Sequence, residues 1–108
     1  MSINFAMWRK AIWQLIKLDD KAIQTVLKEV SSDVLIVALK GAQPELKERF
    51  LSNMSTRAAE TLKEDLESRG PVRLMEVESE QKEMLKIVRR LVDEGQIVLA
   101  GGGDEAFI

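Results

Sequence analysis

Apolar residues recur along most of this chain at the three- and four-residue spacing of amphipathic helices. Ile23, Val26, Leu27 and Val30 follow the i, i+3, i+4, i+7 pattern of one buried helical face, and Asp19 and Asp20 ahead of them are residue types that cap a helix. Ser31, Ser32 and Asp33 restart the chain, and Val34 to Leu39 is apolar on every side, which predicts the most buried element. So short an apolar run also suits a β-strand. A helix is preferred because helix punctuation stands on both flanks, Ser and Asp before and Gly41 after. Pro44 suits a first helical position, with Leu46, Phe50, Leu51 and Met54 as the inward face of a third helix. Ser55 caps a fourth, expected from Thr56 to Arg69, since Gly70 can take a left-handed closing position and Pro71 forbids continuation. A long helix begins near Leu74, turns Val77, Met84, Leu85, Val88, Leu91 and Val92 inward, and ends at Gly95. Gln96 to Ala100 reads as a short apolar exit, and Gly101 to Gly103 with Asp104 and Glu105 as a flexible tail over residues 101–108. The expected fold is all-α, a compact bundle of about six short helices with one long C-terminal helix.

The first segment is chemically distinct. Residues 1–18 carry Arg9, Lys10 and Lys17 and no acid, so they hold +3 while the rest of the chain holds −5. At 100° per residue Phe5, Trp8, Ile12, Leu15 and Ile16 form one stripe, Lys10, Gln14 and Lys17 face away, and Trp13 falls on the polar side. The ordinary use of such a stripe is packing on the rest of the domain. A basic helix bearing tryptophans also suits docking, by self-association, on a partner or on an anionic membrane surface, with Phe5, Trp8, Ile12 and Trp13 as its contacts.

Composition narrows the chemistry. The chain has 108 residues, enough for one domain with a core of its own, and contains neither Cys nor His. Thiolate nucleophiles, imidazole bases and zinc sites with nitrogen or sulfur ligands are therefore outside its repertoire, so no catalytic residue, metal or cofactor is expected. With 16 basic and 18 acidic residues, the chain generates no broad positive field for a nucleic acid. No run of 18 apolar residues is present to span a bilayer, so the cytoplasm is the expected compartment.

Charge becomes informative on the segment from Thr56 to Arg69. Ala58, Ala59, Leu62 and Leu66 share one azimuth and are expected to face the core. Arg57 and Glu64 then lie on the opposite stripe, about 20° apart in azimuth and roughly 10 Å apart along the axis. Glu60 and Glu67 widen that stripe, and Asp65 sits on its flank nearer the core. Lys40 ends the buried helix where a cation favours the carbonyl end of the dipole, whereas Arg73 precedes the long helix at the end that favours anions. Pairing of Arg73 with Glu76 or Glu78 in water is the plain explanation of that position.

Asn53-Met54-Ser55-Thr56-Arg57-Ala58-Ala59-Glu60, Lys63-Glu64-Asp65-Leu66 and Gly70-Pro71-Val72-Arg73 together resemble one family, the C-terminal domain of the flagellar motor switch protein FliG. Leu18-Asp19-Asp20-Lys21-Ala22-Ile23-Gln24, Ala38-Leu39-Lys40-Gly41-Ala42, Glu80-Gln81-Lys82 and Ile87-Val88-Arg89-Arg90-Leu91 extend the likeness, in order, over residues 15–100 and into the tail. Residues 1–14 depart from it: a Met-Phe-x-Phe element followed by an acid is the family pattern, and Arg9-Lys10-Ala11-Ile12-Trp13-Gln14 stands here instead. The resemblance implies a rotor protein of the flagellar switch complex, at the cytoplasmic face of the inner membrane, and not an enzyme. It further implies that Lys40, Arg57 and Arg73 meet acids on the cytoplasmic loop of the stator subunit MotA. Glu64 and Asp65 then meet its bases, and the switch protein FliM is a neighbour. A helical scaffold that docks through its N-terminal helix, without stator coupling, is the alternative function.

Overall fold

Most helices of this chain begin where a side-chain oxygen stands ready for the first unpaired N–H groups. The computed structural model describes residues 10–98. Residues 10–13 are helical and run into a 3-10 turn at Gln14–Lys17. Helix α1, Asp20–Glu29, is capped by Asp19, whose carboxylate accepts from the Ala22 N–H at 2.8 Å. Helix α2, Ser32–Lys40, is capped by the Ser31 hydroxyl, which accepts from the Val34 N–H at 3.3 Å. Helix α3, Pro44–Leu51, has its proline in the first turn, where a missing N–H is harmless. Helix α4, Thr56–Ser68, starts at Ser55, whose hydroxyl accepts from the Ala58 N–H at 3.2 Å. In helix α5, Leu74–Asp93, the Glu76 carboxylate reaches back to the Arg73 N–H at 3.3 Å. The all-α expectation and the helical assignment of the apolar run hold, and among the described residues there is no strand.

Two boundaries are finer than the spacing suggested. Helix α4 closes at Ser68, with Arg69 as its cap and Gly70 one step beyond at φ +72°. Helix α5 closes at Asp93, two residues ahead of Gly95 at φ +75°.

The core is built around α2. Leu35, Ile36, Val37, Ala38 and Leu39 are all buried, as a helix apolar on every side requires. Its principal partner is α5, which turns Val77, Met84, Leu85, Val88 and Leu91 inward. Gly41, the C-cap of α2, lies close against α5: a Cβ there would lie 2.3 Å from Val77 Cγ1. One polar side chain enters this contact. Gln81 is fully buried and its amide donates to the Ala38 carbonyl at 3.1 Å, so α5 satisfies a carbonyl near the end of α2.

The rim is tied by ions. Arg49 of α3 holds Asp20 of α1 at 2.6 Å, and Asn53 donates to the same carboxylate at 3.3 Å. Arg90 of α5 holds Glu29 at 2.8 Å and Glu94 at 3.3 Å, and these hydrogen bonds, that to Glu29 first, raise the guanidinium above its ordinary pKa.

The described part of the N-terminal stripe begins at residue 10. Ile12 and Leu15 are fully buried in the core, so this part of the segment packs on the domain, and Ile12 offers no surface to a partner. Trp13, placed on the polar side by the 100° projection, is half-buried and packs against the same core. The reason is local: the 3-10 turn that follows advances about 120° per residue and breaks the projection. Phe5, Trp8 and the tail at 101–108 lie outside the described residues.

Candidate functional site

Helix α4 carries six charged residues of both signs, and its seating explains which of them reach solvent. Leu62 is its buried anchor, with Ala58, Ala59 and Leu66 half-buried beside it, because the inner face packs on α2 and not deep in the bundle. Arg57, Glu60, Lys63, Glu64 and Glu67 are consequently exposed, and Asp65 is half-buried at the edge. Arg73 stands exposed just ahead of α5, separated from α4 by the Gly70-Pro71-Val72 turn. The structure thus brings Arg57, Glu64 and Asp65 together on one helix, with Arg73 beyond its end.

These groups, like Glu60, Lys63 and Glu67 on the same helix, have no ionic partner among the described residues. Ion pairs fix Arg49, Arg69 and Arg90 to Asp20, Asp33 and Glu29, whereas Arg57, Glu64, Asp65 and Arg73 make none within 4.0 Å among the described residues. The expected pairing of Arg73 with Glu76 takes a different form: the Glu76 carboxylate binds the Arg73 backbone N–H, not the guanidinium, and so serves as a cap.

The signs on α4 also run against its own dipole. A helix is stabilised by acids in its first turn and bases in its last. This helix has no acid in the first turn and no base in the last; Arg57 occupies the former, while Asp65 and Glu67 approach the latter. Each such placement is unfavourable by about 0.3–1 kcal/mol at an exposed site.

Lys40 adds a second cation beside the Arg69 cap at the carbonyl end of α4. It is half-buried, and its Nζ donates to the Leu66 carbonyl at 3.0 Å, in the last turn of α4 where carbonyls have no intrahelical donor. The sequence placed this cation at the end of its own helix, α2; the structure delivers it to the end of the neighbouring one. Two ammonium hydrogens remain for other acceptors.

Sequence reasoning missed a groove beside this ridge. Leu35 and Ile36 of α2, Met54, and Ala58 and Leu62 of α4 line an open hollow of about 400 Å³, with Arg57 and Asp65 at its margin. Leu35, Ile36 and Leu62 are buried in the core as expected, and only the half-buried Met54 and Ala58 depart from it. The small side chain of Ala58 was the one available signal that α4 leaves space against α2.

The FliG C-terminal domain family matches residues 11–99, which takes in helices α1 to α5 and the 3-10 turn. The chain belongs to the FliG C-terminal domain family. Flagellar motor switch protein FliG of Pseudomonas aeruginosa is 54% identical over 94 residues, covering 87% of this chain and 28% of that protein. The protein of the same name from Thermotoga maritima is 53% identical over 94 residues, with 87% and 28% covered. Among solved structures, a crystal structure of part of FliG from H. pylori superposes with a TM-score of 0.78 at 36% identity, covering 80% of this chain and 38% of that one. Full-length FliG from Aquifex aeolicus gives 0.76 at 43% identity, with 78% and 26% covered. This member of the FliG C-terminal domain family therefore spans little more than a quarter of the length of the first two relatives.

Proposed function

We propose that this chain is a rotor component of the bacterial flagellar motor switch, generating torque through contacts between the charged face of α4 and the cytoplasmic loop of a stator subunit of the MotA type. The observation that supports this most is the unpaired, mixed-sign ridge. Arg57, Glu64 and Asp65 reach the surface of α4, and Arg73 stands exposed beyond its end, none with an ionic partner among the described residues; Arg57 and Asp65 also oppose the α4 dipole. In this reading Arg57 and Arg73 meet acids of the loop, and Glu64 and Asp65 meet its bases. Lys40 adds a cation at the far end of α4 with the donors that its bond to Leu66 leaves over. The assembly stands at the cytoplasmic face of the inner membrane, beside FliM and the other switch proteins.

The chemistry suits a contact that is made and broken at every step. Exposed ion pairs contribute about 0–1 kcal/mol each, so several together align two surfaces without trapping them. Opposite signs at fixed spacing on a rigid helix also set register, because a misplaced partner meets like charge.

The test is motility in soft agar of cells carrying the variants in the full-length rotor protein. Single alanine replacements at Lys40, Arg57, Glu64, Asp65 and Arg73 are expected to slow swarming modestly, and paired reversals such as Arg57→Glu with Asp65→Lys to abolish it. Compensating reversals in the stator loop are expected to restore part of the paired loss. Equal, complete loss from every single alanine, or no loss from any paired reversal, contradicts a distributed electrostatic contact.

A further inference from the structure

The hollow between α2 and α4 and the charges at its margin belong to one surface. Leu35, Ile36 and Leu62 form a floor that is almost fully covered, Ala58 leaves the opening above it, and Arg57 and Asp65 line the same groove. Those two charges are eight residues apart, about 12 Å along the α4 axis, and carry opposite signs. A ligand that fills the groove therefore needs a large apolar group at its centre, an anion toward Arg57 and a cation toward Asp65. Two turns of helix span the same 12 Å or so.

We infer that the α2–α4 groove seats an apolar side chain from a helical segment of the stator loop, flanked on that segment by an acid against Arg57 and a base against Asp65, about two turns apart. The inference rests on the stator reading and deepens it: the contact has an apolar anchor as well as ion pairs. Helix-in-groove recognition divides labour in this way, with apolar side chains entering the groove and charges at the rim setting orientation. An apolar group suits the Leu35, Ile36 and Leu62 floor, where a polar one would lose water without gaining a partner, while Ser32, Ser55 and Thr61 line the same groove with hydroxyls. The volume of about 400 Å³ accommodates one such anchor and leaves the groove open at the surface.

The consequence is a binding free energy in two parts, separable by salt. Ion pairs at the rim weaken as ionic strength rises, and burial of the anchor does not. The experiment measures binding of the purified chain to detergent-solubilised stator complex from the same organism, across about 50–500 mM sodium chloride. Ala58→Leu fills the groove from its own wall, and Thr61→Phe covers it from an exposed position that leaves the core untouched. Both are expected to weaken binding about tenfold or more at every salt concentration without changing its salt slope, while melting like the parent. Arg57→Gln and Asp65→Asn are expected to flatten the slope instead.

If Ala58→Leu and Thr61→Phe bind as the parent does while the charge variants flatten the slope, the groove is unused and the stator reading stands. If the parent chain binds no stator at any salt, both fall. If the groove variants abolish self-association in sedimentation and leave stator binding intact, the occupant is a second copy of this chain and the inference is overturned.

Discussion

Replacing Gly41 with alanine tests the packing that holds the charged helix in place. Gly41 follows α2 at φ −97°, a conformation open to any residue, so its missing side chain serves contact and not backbone freedom. A Cβ at this position would sit 2.3 Å from Val77 Cγ1 and 3.3 Å from the Gln81 amide nitrogen. Carbon atoms pack at about 3.5–4.0 Å, so α2 and α5 must separate by more than an ångström or Val77, only 4% exposed, must leave its rotamer. Overpacking of this kind destabilises by about 1–3 kcal/mol. At an unhindered site with the same φ, glycine to alanine would instead stabilise by about 0.4–1 kcal/mol, so the sign alone is diagnostic. In a domain of this size each kcal/mol lowers Tm by about 4–8 °C. The assay is thermal and urea denaturation of four proteins: the parent, Gly41→Ala, Val77→Ala and the double variant. Val77→Ala alone opens a small void, and in the double variant the new methyl enters the space that valine vacated. The double variant is expected to be more stable than the sum of the singles by about 1 kcal/mol or more. A stabilised Gly41→Ala, or additivity within about 0.5 kcal/mol, refutes the close approach.

Three other outcomes follow from particular contacts. Gly70→Ala meets no atom within 4 Å but must adopt φ +72°, so urea denaturation is expected to show a loss of about 1–2 kcal/mol, with Gly70→Asn recovering part of it. Lys40→Met keeps the apolar stem and removes the bond to the Leu66 carbonyl; amide exchange is expected to accelerate in the last turn of α4, by a free-energy equivalent of about 0.5–2 kcal/mol. Arg57→Glu is expected to raise the stability of the isolated chain by about 0.3–1 kcal/mol while impairing swarming, because it places an acid in the first turn of α4 and removes a cation from the ridge.

The fold was largely legible because the chain punctuates it. Asp19, Ser31, Ser55 and Pro44 each stand where the structure begins a helix, and the buried faces of α1 and α5 follow their spacing. What spacing could not convey was relative placement. Lys40 reads along the chain as the end of α2, and only the packing of α2 against α4 brings its ammonium to Leu66. Leu62 reads as core and is core, but Ala58 beside it is only half-buried and opens a groove, because α4 rests on the edge of the bundle. Trp13 was misplaced since a 100° projection presumes an α-helix, and the chain tightens to 3-10 one residue later. On the ridge, periodicity identified the outward stripe of Arg57 and Glu64, but the absence of ionic partners there is a property of three-dimensional neighbours.

The arrangement of charge on α4 is the strongest reason to separate its role from its stability. Reversing the signs at its two ends would favour the helix at both, and nothing in the packing opposes such a change, because Arg57 and Glu67 are exposed. The surrounding structure instead compensates: Ser55 caps the N-terminus, Leu62 anchors the inner face, and Lys40 brings a cation from another helix to the carbonyl end. Of these, Lys40 compensates in a way that leaves the outer face untouched, because its ammonium approaches Leu66 from the α2 side. A surface shaped by folding alone has no need of that detour. On the stator reading proposed above, a surface that presents a cation at one end and acids toward the other does, and the dipole penalty on α4 is the local consequence expected of a pattern complementary to charges on that partner.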